Sequence, residues 1–348
     1  MKKIPVAVLG ATGNVGQRFI QLLENHPWFE VAYVCASERS AGKKYKDVVS
    51  WKVSAQIPKN VANLTVRSCV PNFSATIAFS ALDAEVAGPI EQAFAKKGFA
   101  LISNTKTHRM DPLVPLLIPE VNPEHIKLID IQKKNRKSKG FIVTNPNCTT
   151  IGLTMVLKPL QDAFGVKTVV VTTMQALSGA GYPGVPSLDI IDNIVPFIGG
   201  EEHKVETEPL KLLGTYASGA IQDAKINIAA HCNRVAVRDG HTESVTIEFI
   251  KKPTVEQVIK VLSGFKGLPQ KLKLPSAPKN PIVVLQDENR PQPLLDRDRG
   301  NGMVVTVGRI RKSNVFDINL TLLVHNTIRG AAGAAILNAE LLEAKGFI

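Results

Sequence analysis

The chain has 348 residues, 44% of them hydrophobic and 21% charged, with a formal net charge of +12. That size predicts two domains sharing an interface, and the composition is that of an ordinary globular protein. No stretch approaches the ~18 uninterrupted apolar residues of a membrane span, and the start Met1-Lys2-Lys3-Ile4 lacks the apolar core of a signal peptide, so a cytoplasmic protein with no membrane partner is expected.

Ile4-Pro5-Val6-Ala7-Val8-Leu9 reads as a buried strand, followed by Gly10-Ala11-Thr12-Gly13-Asn14-Val15-Gly16 and then helical sequence with Val15, Phe19, Leu22 and Leu23 on one face. Glycines between a strand and a helix let a pyrophosphate sit on the helix N-terminus. Gly10, Thr12, Gly13, Asn14 and Val15 are therefore candidate cofactor contacts, although a G-x-x-G-x-x-G triplet alone also fits a turn without nucleotide. The second strand, ending at Ala36, runs into Ser37-Glu38-Arg39-Ser40. Glu38 stands near the place where a NAD site holds the ribose. Ser37, Arg39 and Ser40, two hydroxyls and a guanidinium, suit a 2′-phosphate, so NADP is expected over NAD. Strands at 75–79 and 99–103, with helical sequence at 86–97 between them, predict a Rossmann-type, doubly wound parallel sheet.

The basic run Lys133 to Lys139 lies between two apolar segments and contains no aromatic residue. It reads as a solvated helix end and loop, so no nucleic-acid partner is expected, and the positive charge suits small anions. Next, the strand Phe141-Ile142-Val143-Thr144 ends in Asn145-Pro146-Asn147, and Cys148-Thr149-Thr150 opens helical sequence to about Phe164. A thiol at a helix N-terminus is favoured as the thiolate, the attacking form, and the same N–H groups could hold an oxyanion. A small buried core cysteine is the alternative. Cys35, Cys69, Cys148 and Cys232 show no C-x-x-C spacing, hence neither a disulfide frame nor a metal cluster.

Beyond that helix, strands are expected at 166–175, 226–237, 244–250, 303–310 and 315–324, several alternating apolar with polar. The turn Arg238-Asp239-Gly240 predicts that the strands on either side are neighbours, giving an α+β domain on a mixed, largely antiparallel sheet. Residues 274–281 and 288–301 read as loops, and 327–345 as an Ala-rich helix. Arg234 and His241 flank the 238–240 turn, where a histidine can serve as an acid–base group. Taken singly, Arg234 and His241 also fit structural roles, and Glu201 with Lys204 fits a solvated i,i+3 pair.

Together these segments resemble aspartate-β-semialdehyde dehydrogenase of the archaeal and fungal type, nearly end to end. The resemblance rests on the Gly10–Gly16 loop, Ala36-Ser37-Glu38-Arg39-Ser40, Asn145-Pro146-Asn147-Cys148-Thr149-Thr150, and Leu177-Ser178-Gly179-Ala180-Gly181. It continues through Glu201-Glu202-His203-Lys204, Cys232-Asn233-Arg234-Val235-Ala236-Val237, Gly240-His241-Thr242-Glu243-Ser244, and His325-Asn326-Thr327-Ile328-Arg329-Gly330. It implies NADPH-dependent reductive dephosphorylation of L-aspartyl-4-phosphate to L-aspartate 4-semialdehyde, a step toward lysine, threonine, methionine and isoleucine. Cys148 would form an acyl-thioester and His241 would be the acid–base group. Arg234 would hold the substrate α-carboxylate and Glu201, chosen over Glu202, its amino group. Arg109 and Lys204 would hold phosphate, while Asn147 and Gln175 would line the acyl site. Ser178, Gly179 and Asn326 would lie on the nicotinamide side. The resemblance also implies a homodimer or homotetramer. The domains would be 1–147, completed by a returning helix at 327–348, and 148–326. A malonyl-CoA reductase on the same scaffold is the rival, and a non-catalytic nucleotide-binding protein a more distant one.

Overall fold

The computed structural model describes residues 3–53 and 56–348. Six strands form the first sheet: β1 (Ile4–Leu9), β2 (Phe29–Ala36), β3 (Arg67–Ser68), β4 (Ile77–Ser80), β5 (Ala100–Ser103) and β6 (Phe141–Thr144). Their order is β3-β2-β1-β4-β5-β6 and every pairing is parallel. β4, β5 and β6 are buried along their whole length, as parallel strands covered on both faces must be. β3 has two residues and no apolar pattern, which is why the sequence does not announce it. The strand order reverses between β1 and β4, and in such sheets the crevice beyond the strand ends at that point receives a ligand. The Gly10 loop leaves β1 there and enters the helix Asn14–Leu23.

Two of its glycines are structural. Gly10 has φ +74°, and a Cβ on it would lie 2.4 Å from the Ala81 carbonyl oxygen. A Cβ on Gly16 would lie 2.2 Å from the Gly10 oxygen, whereas one on Gly13 would meet nothing nearer than 3.4 Å. The outer glycines thus let strand and helix close on each other, and the middle one keeps the loop's face open.

The second sheet follows the helix Cys148–Phe164. It contains β7 (Val166–Gln175), then, after the small hairpin of β8 (Thr215–Ala217) and β9 (Ala220–Gln222), β10 (Asn227–Arg234), β11 (His241–Phe249), β12 (Ile282–Val284), β13 (Val305–Lys312) and β14 (Ile318–Val324). The order is β10-β7-β11-β14-β13-β12, with β10–β7 and β12–β13 parallel and the other pairings antiparallel. The turn at 238–240 therefore does not join neighbours, because β7 lies between β10 and β11. The connection instead pairs with the chain leaving β7: Val235 N donates to Gln175 O, Leu177 N to Val237 O and Ser178 N to Arg238 O. Arg234 and His241 are thereby brought to either side of the end of β7. The 288–301 segment, expected as loop, contains a short helix at Pro293–Asp296.

β10 is an edge strand, and its outward N–H groups are covered by the helix Glu201–Leu212. Ala230 N donates to Glu206 and Cys232 N to Glu202. Glu202 is thus occupied on the sheet edge, while Glu201 points the other way.

The C-terminal helix is not uniform. Residues Ile328–Ala332 form a π-helical turn before Gly333–Ala344 continues as α-helix. Ala332, Ala335, Ile336, Leu337 and Leu341 join the first sheet's core with Val6, Phe19 and Phe79. At the π turn a Cβ on Gly330 would lie 2.7 Å from Cys148 Cβ. Arg329, wholly buried, holds Glu120 with two hydrogen bonds of 2.9 and 2.7 Å. Removing one partner of such a buried pair typically costs about 3–5 kcal/mol.

Candidate active site

Cys148 is the first residue of its helix, at the boundary where β6 of the first sheet hands the chain to the second. Asn147 is the N-cap, and its side-chain oxygen accepts from Thr149 N at 3.0 Å and Thr150 N at 3.2 Å. Two of the helix's free N–H groups are therefore already used. The Cys148 N–H has no acceptor among the described residues and is the one left for an oxyanion.

Cys148 Sγ lies 3.2 Å from His241 Nε2. Burial pushes the thiol up, to about 12; Glu201 adds to the rise, while Arg109, Lys204 and the Thr149 N–H oppose it. Desolvation at the sheet junction thus works against the thiolate that the helix start favours. Burial drives His241 down to about 3.

Charged groups ring this pair. The helix Glu201–Leu212 aims Glu201, Lys204, Glu208 and Lys211 along one face. Glu201 accepts from Asn147 Nδ2 at 2.6 Å and from Lys204 Nζ at 2.7 Å. Its own burial raises its pKa, but Lys204 and Asn147 outweigh that, and the carboxylate stays ionised. Arg109 donates to Glu208 at 2.9 Å and to Asn104 O at 2.8 Å. The other Glu208 oxygen accepts the Asn147 backbone N–H at 2.7 Å. Lys211 Nζ donates to the carbonyls of Arg109, Asp111 and Val114, fixing the loop that carries Arg109, and burial lowers it to about 8. Arg234, on the last residue of β10, donates to Ala176 O at 2.8 Å.

A cavity of about 490 Å³ opens onto these groups. It brings together Asn14, Val15, Arg109, Asn147, Cys148, Gln175, Ser178, Gly179, Glu201, Lys204, Arg234 and Asn326 from the residues expected in the site. A second hollow of about 510 Å³ is lined by Gly10, Thr12, Gly13, Ser37 and Glu38, together with Cys69, Val70 and Leu82. Arg39 and Ser40 stand outside that lining. Asn326 donates to Ser178 Oγ at 2.7 Å and accepts from Gly240 N at 2.8 Å, tying the 178–181 segment to the turn before His241. Gly179 is small of necessity, since a Cβ there would lie 2.9 Å from Arg234 Nη1.

Three contributors carried no recognised signal in the sequence. Glu208 is seven residues beyond Glu201 on the same helical face. Lys106 lines the cavity, is exposed, and forms no ion pair among the described residues. Ala176 acts through its backbone alone.

A thiol at a helix start with an imidazole 3.2 Å away, beside a cation-lined cavity and a doubly wound sheet, is the setting of a nucleotide-linked oxidoreductase. The chain belongs to the semialdehyde dehydrogenase family. Residues 5–129 match the semialdehyde dehydrogenase NAD binding domain, and residues 157–329 match the semialdehyde dehydrogenase dimerisation domain. It is 53% identical over 343 residues to the aspartate-semialdehyde dehydrogenase of Methanothermobacter thermautotrophicus, covering 97% of this chain and 99% of that one. It is 50% identical over 353 residues to the enzyme of that name from Schizosaccharomyces pombe, covering 99% of each. The crystal structure of aspartate semialdehyde dehydrogenase with NADP from Candida albicans matches with a TM-score of 0.92 and 45% identity over 100% of both chains. That of aspartate semialdehyde dehydrogenase II complexed with ASA from Vibrio cholerae matches at 0.78 and 29%, over 99% of both.

Proposed function

We propose that the chain catalyses the reversible, NADP-dependent conversion of L-aspartate 4-semialdehyde and phosphate to L-aspartyl-4-phosphate. The observation that carries this is the Cys148–His241 pair at 3.2 Å, with Cys148, Glu201 and Arg234 lining one cavity. Cys148 forms the acyl-thioester. Arg234 offers a planar fork to the substrate α-carboxylate, and Glu201 an ionised carboxylate to its amino group. Asn147 and Gln175 border the acyl group, and Asn147 also braces Glu201. Lys204 and Arg109 supply charge for phosphate, although each already has a carboxylate partner, and Lys106 adds a cation with no ion pair among the described residues.

NADP is held by Gly10, Thr12, Gly13, Asn14 and Val15 at the helix start and by Ser178, Gly179 and Asn326 beside the thiol. Ser37, Arg39 and Ser40 serve the 2′-phosphate. The open face of Gly13 fits a pyrophosphate. When bound, the cofactor supplies or receives the hydride. Residues 1–147 with 327–348 act as the nucleotide-binding unit and 148–326 as the catalytic one. Leu188, Ile191, Ile194 and Phe197, exposed around the second sheet, form the face for a homodimer, in keeping with the dimerisation domain. The four cysteines are free, in keeping with a cytoplasmic protein, and no helix among the described residues is long and apolar enough to cross a membrane.

A reductase for CoA thioesters needs no carboxylate for an amino group, so Glu201 favours the amino-acid substrate. The test is NADP reduction with aspartate semialdehyde and phosphate, set against NADPH oxidation with malonyl-CoA. Activity only with malonyl-CoA would overturn the reading.

A further inference from the structure

The loop from Asn104 to Val114 leaves β5 and brings Lys106 and Arg109 to the cavity. It has no regular secondary structure, so its shape depends on what its backbone groups meet. The carbonyls of Arg109, Asp111 and Val114 converge on Lys211 Nζ at 2.7, 2.8 and 3.0 Å. Among the described residues the Arg109 and Val114 carbonyls have no other partner, and buried Lys211 makes no other hydrogen bond. One turn earlier on the same helix, Glu208 holds the Arg109 guanidinium at 2.9 Å. One helix thus grips Arg109 at both ends, with a carboxylate on the side chain and an ammonium on the backbone.

An ammonium has three donors and no acceptor, whereas a neutral amine has two donors and a lone pair. Only the charged form matches three carbonyls at once. Loss of its proton would set a lone pair against a carbonyl oxygen and leave a buried acceptor unpaired. The far end of the loop has further ties, from Arg136 to Asp111 at 2.8 Å and from Gln132 to the Leu113 carbonyl at 3.0 Å. The backbone that depends on Lys211 most is therefore that of Arg109.

We propose that Lys211 is the positioning residue of the phosphate subsite: its ammonium holds the 104–114 loop in the form that presents Lys106 and Arg109 to the phosphate dianion, and the subsite loosens when that ammonium gives up its proton. Lys211 is outside the cavity lining and acts through the loop. The proposal rests on the reading above, in which Lys106 and Arg109 take phosphate. The groups around the ammonium are Asp111 from the loop, Asp223 from the chain after β9 and Glu208 from its own helix, all of which favour the charge. Burial opposes them, outweighs them and brings Lys211 down to about 8. His125, from the turn Pro123–Lys127, is itself lowered by burial and adds no charge. The ammonium is thus mostly charged near neutral pH and is lost in mildly alkaline solution.

The test is the apparent KM for inorganic phosphate in NADP reduction by the full-length wild type and by Lys211→Met, with semialdehyde and NADP saturating, from about pH 7.5 to 9.5. The wild-type KM should climb as the pH passes about 8, by up to about tenfold per unit. Lys211→Met should start about tenfold higher or more and stay flat across the range, with NADP affinity near wild type by fluorescence titration. A lysine that only braces the fold would not give a phosphate KM that follows pH in one protein and not in the other. A flat wild-type profile, or a wild-type phosphate KM in Lys211→Met, overturns the proposal, and the wild-type profile decides alone should the variant not fold. Deuterium exchange of the peptide spanning 104–114 needs no substrate. Corrected for intrinsic rates, its protection should fall in Lys211→Met and in the wild type above about pH 8. Unchanged protection overturns the hold on the loop whatever the substrate, whereas a wild type that shows no phosphate-dependent NADP reduction overturns the substrate reading and the phosphate role with it.

Discussion

At the Gly10–Gly16 loop the chain makes room by leaving side chains out; around Cys148 it does the opposite, crowding Arg109, Glu201, Lys204 and Arg234 about one cavity. In the proposed cofactor site the loop's binding groups would be backbone N–H groups, present whatever the residue, so its specificity would lie in which positions tolerate a Cβ. The cleft's groups are charges, of which Arg109 and Lys204 are held by carboxylates and Arg234 by a backbone carbonyl. The loop should therefore fail by steric steps and the cleft by leaving charges unpaired.

The sharpest separation of the two regions is Cys148→Ala. Loss of the nucleophile should lower kcat by about 10⁴-fold or more, while NADP affinity, measured by fluorescence titration, stays near wild type. A parallel loss of NADP binding would mean that the regions are not independent.

Within the cleft, Glu208→Gln keeps the shape but strips the charge that holds Arg109 and the Asn147 N–H. An unpaired, buried partner should reduce kcat/KM about 10- to 100-fold, most visibly when phosphate is varied. An unchanged phosphate KM would show that Glu208 only braces the fold.

The loop gives the converse contrast. Gly16→Ala sets a methyl against the Gly10 carbonyl and should cost about 1–3 kcal/mol of stability in denaturant unfolding. Gly13→Ala should fold almost normally and weaken NADP binding. Equal effects from the two would remove the distinction between packing and contact glycines.

Glu243 should have the smallest effect. It is fully buried, neither carboxyl oxygen has a hydrogen-bond partner among the described residues, and burial raises its pKa well above the usual range. A raised folded-state pKa means stability that is fully present below the unfolded value and is lost as pH climbs toward the folded one. Glu243→Gln should therefore raise Tm by a few degrees at pH 8 and by less at pH 5. A gain that is the same at both pH values would show that the group does not stay protonated.

The parts legible in the sequence were those with local chemistry. The Asn-Pro-Asn turn before Cys148 announces a strand, a break and a helix start within four residues, and the glycine loop announces itself by its flanks. What was not legible depends on distant partners. Glu208 meets Arg109, which is 99 residues away, and alone looks like any helix-surface glutamate. Its spacing from Glu201 and Lys204 on a helix that covers a sheet edge was the available signal. Ala176 has no side chain to mark it, and its backbone role appears only once β7 is seen between β10 and β11. The hairpin expected at 238–240 failed for the same reason: a turn signal is local, whereas strand order is decided by the whole sheet. The opposing pull on the Cys148 thiol was not legible either, because a helix start is visible in sequence and desolvation by distant elements is not.

The most direct test of the central claim is intact-protein mass spectrometry of the enzyme mixed with L-aspartyl-4-phosphate in the absence of NADPH, followed by peptide mapping. The account predicts one aspartyl adduct on the peptide carrying Cys148, absent from Cys148→Ala and discharged when NADPH is added. Turnover by the wild type with no adduct at Cys148, or an adduct that NADPH does not discharge, would contradict it.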